Sequence, residues 1–163
     1  MKQASVIVVR VVRPDDAAML QSNCFARNTV EETAGRIGEN LRGHAEGEVI
    51  PLVAEVDGVL VGKAVLQRKR HPLYRHRANL ADLVVCAAYQ RRGIARRLIE
   101  ALRDQAAQIG VTIFETSVRG GTPAEEVYRR VGFREYGRLP GGIVETWGEC
   151  GVYDEVLFWM PVK

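Results

Sequence analysis

The apolar and polar positions of the chain switch repeatedly between a two-residue and a helical period. Val6–Val12 is almost wholly β-branched and predicts a buried strand, stopped by Arg13-Pro14-Asp15-Asp16. Asp15 or Asp16 then caps a helix running to about Asn23. Val30, Ala34, Ile37 and Leu41 share one face of a second predicted helix over about 30–41. Pro51–Val56 and Val59–Leu66 flank Asp57-Gly58, a pair suited to the positive φ of a two-residue hairpin turn. The basic stretch Arg68–Arg77 reads as a solvated loop, and Leu80–Val85 as the next strand. Ile94, Leu98, Ala101, Leu102, Gln105 and Ile109 mark the core-facing stripe of a long helix that Gly110 ends. Val111–Thr116 is a strand, and Pro123 fits the first turn of a helix ending near Gly132. Phe133–Leu139 and Tyr153–Pro161 are the last strands, joined by a Gly-rich segment.

The predicted order is therefore β-α-α-β-β-β-α-β-α-β-β. Strand–helix–strand alternation in the middle implies a parallel pair with a right-handed crossover, and the hairpin implies antiparallel neighbours. This is an α/β (α+β) fold: a mixed sheet with helices on both faces. A chain of 163 residues suits one domain, spanning 1–163.

Composition narrows the function. Apolar residues make up 47% and charged residues 26%, the balance of a soluble globular protein. A net charge of +3 does not announce a nucleic-acid binder, and the Arg68–Arg77 cations come with no RNA-binding aromatic pattern. Cys24, Cys86 and Cys150 form no CxxC pair, which points to a reducing cytoplasm. His44, His71 and His76 are scattered and offer no metal-ligand spacing, so no metal is expected. Met1–Arg13 lacks a signal-peptide pattern, and no stretch approaches the roughly 20 apolar residues of a membrane helix.

The informative segment runs from Val85 through Gln90-Arg91-Arg92-Gly93-Ile94-Ala95-Arg96-Arg97. It joins a strand to the long helix. The first amides of a helix have no intrahelical acceptor and carry partial positive charge, so they form an anion site. Gly93 lets the backbone approach a phosphate, Ala95 keeps the next position small, and four arginines add charge. No Gly-Lys-Ser/Thr follows, as a Walker A loop requires, and one glycine is too few for a dinucleotide fingerprint.

Gln90-Arg91-Arg92-Gly93-Ile94-Ala95 resembles the Gln/Arg-x-x-Gly-x-Gly/Ala pyrophosphate loop of the GNAT superfamily of N-acetyltransferases. Val53–Ala64 and Ala124–Phe133 look like two further pieces of that family, so the resemblance covers nearly the whole chain. It implies a GNAT fold with splayed central parallel strands. It also implies acetyl-CoA as co-substrate and direct transfer of the acetyl group to an amine. By the same resemblance, Leu83, Val84 and Val85 would lend backbone groups to the pantetheine arm, and the amides of Arg91–Arg96 would hold the pyrophosphate.

Transfer to an amine requires the neutral nucleophile, whereas a free alkyl amine has a pKa of about 10.4. Tyr128 stands where the family places a tyrosine near the thioester sulfur, as the acid for the leaving thiolate; the other reading is a core aromatic. Many family members carry a Glu six residues before the position of Val85, where this chain has Asn79, which cannot act as a base. By strand alternation Asp82 should face the other side of the sheet from Asn79. Glu115 on the adjacent strand is then the candidate base, acting directly or through a water, with a structural salt bridge as the other reading. Glu145, Glu149 and Asp154 are placed to attract a cationic acceptor.

Within the superfamily, the tail is similar to the tabtoxin-resistance type. The matching pieces are Glu115-Thr116, Gly121-Thr122-Pro123-Ala124-Glu125, Tyr128, and Gly137-Arg138-Leu139-Pro140-Gly141. That group has Asp-Thr in place of Glu-Thr, and this chain carries two extra residues between Thr116 and Gly121. The resemblance implies a small-molecule amine acceptor and is compatible with a homodimer. A non-catalytic acyl-CoA sensor and a protein or peptide N-acetyltransferase are the alternatives.

Overall fold

The computed structural model describes residues 4–163, so Met1–Gln3 of the N-terminal run lie outside the described residues. The strands are β1 (Ile7–Val11), β2 (Val49–Val56), β3 (Val59–Arg68), β4 (Arg77–Val85), β5 (Ile113–Arg119), β6 (Arg134–Glu145) and β7 (Gly151–Pro161). The helices are α1 (Ala17–Cys24), α2 (Val30–Ala45), α3 (Ile94–Gln108) and α4 (Pro123–Arg130). Their succession is the predicted one. The seven strands form one sheet in the order β1-β2-β3-β4-β5-β7-β6, with β4 and β5 parallel and every other pair antiparallel. The last strand thus inserts between β5 and the edge strand β6.

Two apolar cores lie on opposite faces. Ile94, Leu98, Ile99, Leu102 and Ala106 of α3 pack on Leu52, Ala64, Leu66, Leu80 and Phe114. Gly62 permits that approach, because a Cβ there would meet Val84 O at 3.1 Å and Leu98 Cδ1 at 3.3 Å. Leu20 and Ile37 of α1 and α2 close the other face over Val53 and Leu60. Asp57 (φ 50°) and Gly58 (φ 80°) both adopt the left-handed conformation that the hairpin turn requires.

Several expectations are corrected. β1 is an edge strand with Val8 exposed, because it pairs only with β2. Asp16 precedes α1 but does not cap it. Its carboxylate turns back to Arg13 N–H (2.7 Å) and to both Arg10 terminal nitrogens (2.8 Å each). The buried face of α2 carries Thr33 and Ile37, while Val30 and Ala34 point outward. A Thr29–Glu32 capping box sets that helix start. The basic stretch is largely the exposed loop expected, with Arg70–Tyr74 and His76 exposed, but four of its cations are anchored. Arg75 grips Glu48 at 2.7 and 3.0 Å, Arg68 Nε donates to Arg75 O, and β4 already begins at Arg77.

The correction that bears most on function concerns Asp82. Val65 pairs with Asp82 and Leu66 with Leu80, so Ala81 is an extra residue bulged out of β4. A bulge of one residue reverses the side-chain alternation beyond it. Asp82 therefore lies on the same face as Asn79, the face covered by α1 and α2.

Candidate active site

β4 and β5 pair only from Arg77↔Ile113 to Asn79↔Glu115. Beyond that point the strands part, and the bulge at Ala81 stands at the start of the gap. Thr116 Oγ1 donates to Leu80 O across its closed end at 3.0 Å. The gap opens toward the C-terminal end of β4, where the anion loop begins. Beyond Asn79, β4 has β3 on one side only, so its edge along Leu83, Val84 and Val85 faces the gap. Leu83 and Val85 send their side chains into the α3-side core. The Val85 carbonyl accepts from Gln90 Nε2 at 3.2 Å.

The loop's backbone is shaped by two left-handed residues, Arg91 (φ 62°) and Gly93 (φ 80°). Arg97 N–H is the first to reach a helical acceptor, Gly93 O at 3.0 Å. The amides of Arg91, Arg92, Gly93, Ile94, Ala95 and Arg96 meet no acceptor among the described residues. No acidic residue occupies the first turn of α3, and Arg91, Arg92, Arg96 and Arg97 are all exposed around it. Arg92 stacks on the Tyr89 ring, 4.9 Å from its centroid. Free amides, a helix N-terminus and exposed cations together suit a pyrophosphate.

Tyr128 of α4 is packed edge-on to Phe133 (5.4 Å between centroids) and stacked on Phe158 (6.1 Å). Burial pushes its phenol pKa up, Thr116 opposes the rise, and the negative charge of Asp82 adds to it. The phenol therefore keeps its proton at neutral pH, and it feels the charge of a carboxylate carried by the other lip of the gap.

The two candidate bases differ sharply. Glu115 is clamped by Arg77 Nε at 2.6 Å and Lys69 Nζ at 2.8 Å. Burial pushes its carboxyl up, but the two cations pull it further down, so its net pKa is lowered. Asp82 is partly exposed and accepts no hydrogen bond from any described residue; its one ion pair is Lys63 Nζ at 3.8 Å. The structure thus brings Tyr128, Thr116 and Asp82 to one gap and turns the Glu115 carboxylate toward Arg77 and Lys69. Of the other acidic candidates, Glu145 pairs with Arg119, and Asp154 accepts from Gly141 N–H at 3.1 Å. Glu149 stays exposed in the β6–β7 loop.

The side of Asp82 left no clear mark, because Ala81, Leu83, Val84 and Val85 are all apolar and hide the change of phase. Lys63, a charge inside an apolar strand, was the missed signal.

A helix start with unpartnered amides thus lies beside parted parallel strands, with the Tyr128 phenol and the Asp82 carboxylate on the two lips. The profile described as the acetyltransferase (GNAT) family matches residues 18–133. The chain belongs to that family and is an acyltransferase. A search of curated proteins finds no match. Among solved structures, yncA from Salmonella typhimurium, determined with its cofactor acetyl-CoA, is 18% identical. The match covers 96% of this chain and 94% of that one, with a TM-score of 0.78. A ribosomal-protein-alanine N-acetyltransferase from Brucella melitensis is 21% identical over 94% of this chain and 99% of its own, with a TM-score of 0.77. An acetyltransferase of the GNAT family from Streptococcus pneumoniae is 20% identical over 97% and 100%, with a TM-score of 0.76. At these identities the likeness is one of fold. No described helix is long and apolar enough to cross a membrane.

Proposed function

We propose that this protein moves an acetyl group from acetyl-CoA directly to the amine of a small molecule. The observation that carries this reading is the parting of β4 and β5 with Tyr128 and Asp82 on its two lips, beside six unpartnered amides at Arg91–Arg96. Bound acetyl-CoA would supply an activated acetyl thioester. The loop amides and arginines hold its phosphates, and the β4 edge over Leu83–Val85 orients the pantetheine arm.

Asp82 takes the acceptor's proton, directly or through a water, as the amine nitrogen bonds to the acetyl carbon. Tyr128 returns a proton to the sulfur as the carbon–sulfur bond breaks, so the departing group is the neutral thiol. The proton acceptor is assigned to Asp82 rather than Glu115, because two short bonds to cations occupy the Glu115 oxygens. A small amine of the kind handled by the tabtoxin-resistance type fits the resemblance in the tail. A reducing cytoplasm suits three free cysteines, and a homodimer is the assembly to test by light scattering.

The test is CoA release from acetyl-CoA, read with a thiol-reactive dye across amines, amino acids, aminoglycosides and N-terminal peptides, alongside calorimetric binding. Release with a small amine supports the reading. Release with peptides alone moves the acceptor class to proteins. Tight binding without release points to a sensor, and no binding overturns the assignment of Gln90–Arg96.

A further inference from the structure

Lys63 stands in the middle of β3 with only 2% of its surface exposed. Taking an ammonium out of water costs several kcal/mol unless partners replace the solvent. Three elements supply them. Asn40 Oδ1 on α2 accepts at 2.9 Å, the Phe25 ring after α1 lies 5.7 Å from the nitrogen, and Asp82 on β4 lies at 3.8 Å. Arg36 on α2 also faces the group and repels it. Burial pushes the Lys63 pKa down most strongly, Asp82 pulls it up, and the net shift is downward.

For packing alone, an apolar side chain of the same length would serve as well as a buried ion pair. What the pair adds is particular to Asp82. At 3.8 Å the ammonium is too far to form a good hydrogen bond but near enough to attract the carboxylate. Asp82 is compensated by charge while its oxygens stay open. Glu115 shows the alternative, since its two cations sit at 2.6 and 2.8 Å and occupy its oxygens. We propose that Lys63 is a positioning residue for acetyl transfer, holding the Asp82 carboxylate at the lip of the gap while leaving its oxygens free for the acceptor's proton, and anchoring that lip to α1 and α2. This rests on the reading of Asp82 as the proton acceptor.

The experiment measures thiol release from acetyl-CoA with water as the acceptor, and with whichever amine the screen returns. It uses the whole chain as wild type, Lys63→Met, Lys63→Arg, Asp82→Asn and Lys63→Met/Asp82→Asn. Lys63→Met is expected to lower kcat about tenfold or more, leaving KM for acetyl-CoA within about twofold. Lys63→Arg, which keeps the charge, recovers part of that loss. In the Asp82→Asn background, Lys63→Met costs less than about twofold, because its target is already gone. Equal losses in both backgrounds, or no recovery with arginine, would overturn the role of Lys63. Wild-type release from Asp82→Asn would instead sink the reading of Asp82 itself. Should Lys63→Met not fold, Asn40→Ala removes only the ammonium's hydrogen-bond acceptor. It should lower kcat in the same sense, again without effect once Asp82 is replaced; loss in both backgrounds counts against the proposal.

Discussion

Asp82 and Tyr128 belong to opposite faces of the sheet, yet the Asp82 charge raises the Tyr128 pKa. They interact because β4 and β5 part after Asn79 and Glu115, leaving no strand between them. The bulge at Ala81 is what turns Asp82 toward the α1–α2 face; without it the carboxylate would enter the α3-side core. In the proposed mechanism the two residues divide the proton traffic of acyl transfer, one removing a proton and the other supplying one.

Replacing Asp82 by Asn keeps the size and removes the basicity. The expected result is a fall in kcat of about 10²–10⁴-fold, the usual worth of general acid–base catalysis. Acetyl-CoA affinity by calorimetry should stay unchanged, because Asp82 lies away from the phosphate loop. A variant with wild-type turnover would reject the assignment.

Tyr128→Phe should leave the ring packing on Phe133 and Phe158 intact and lose only the hydroxyl. We expect about a 10²-fold fall in kcat with unchanged thermal stability and acetyl-CoA binding. The raised pKa means that the phenol ionises only above its ordinary value of 10.0. Wild-type activity should therefore show no loss from this group below that pH, and a decline near neutrality would contradict the role.

Glu115→Gln separates structure from chemistry. Glu115 is 9% exposed, and its carboxylate ties Lys69 and Arg77 together. Charge-assisted hydrogen bonds of this kind are worth about 1.5–3 kcal/mol, so the variant should melt at lower temperature while kcat stays within about twofold. The sign with pH follows from its lowered pKa. The folded state holds the anion more firmly than the unfolded chain does, so the contribution is full above the ordinary 4.5 and is lost as pH falls through the lower folded value. The stability gap between wild type and variant, measured by urea melts, should close on acidification.

The element order, the hairpin turn and the loop leading into α3 were legible because each rests on local signals: period, an Asp-Gly pair, and a glycine before an amphipathic helix. The α3 stripe was read correctly at Ile94, Leu98 and Leu102, yet Ile99 and Ala106 were missed, because the buried face is wider than that stripe. Three features were not legible as read. The side of Asp82 depends on its register against the neighbouring strand β3, and strict alternation gives the wrong face across a bulge. The cations of the Arg68–Arg77 stretch look solvated until Glu48 and Glu115 are brought to them from distant segments. The insertion of β7 beside β5 is a long-range pairing that leaves no local mark.

The last prediction concerns the loop itself. Gly93 is left-handed at φ 80°, and a Cβ built on it meets nothing within 4 Å. Substitution there acts through backbone strain rather than a clash. A residue with a Cβ costs roughly 1–2 kcal/mol in that conformation, and relaxing it would reorient the amides next to Gly93. Gly93→Ala should weaken acetyl-CoA binding about tenfold or more, at 1.4 kcal/mol for each factor of ten. The loss should fall on KM and on the calorimetric constant, with kcat at saturation nearly kept, since Tyr128 and Asp82 lie on other elements. Equal affinity in the variant would mean that the phosphates are held by the arginines alone. In that case the salt dependence of binding, and not the loop backbone, would carry the recognition.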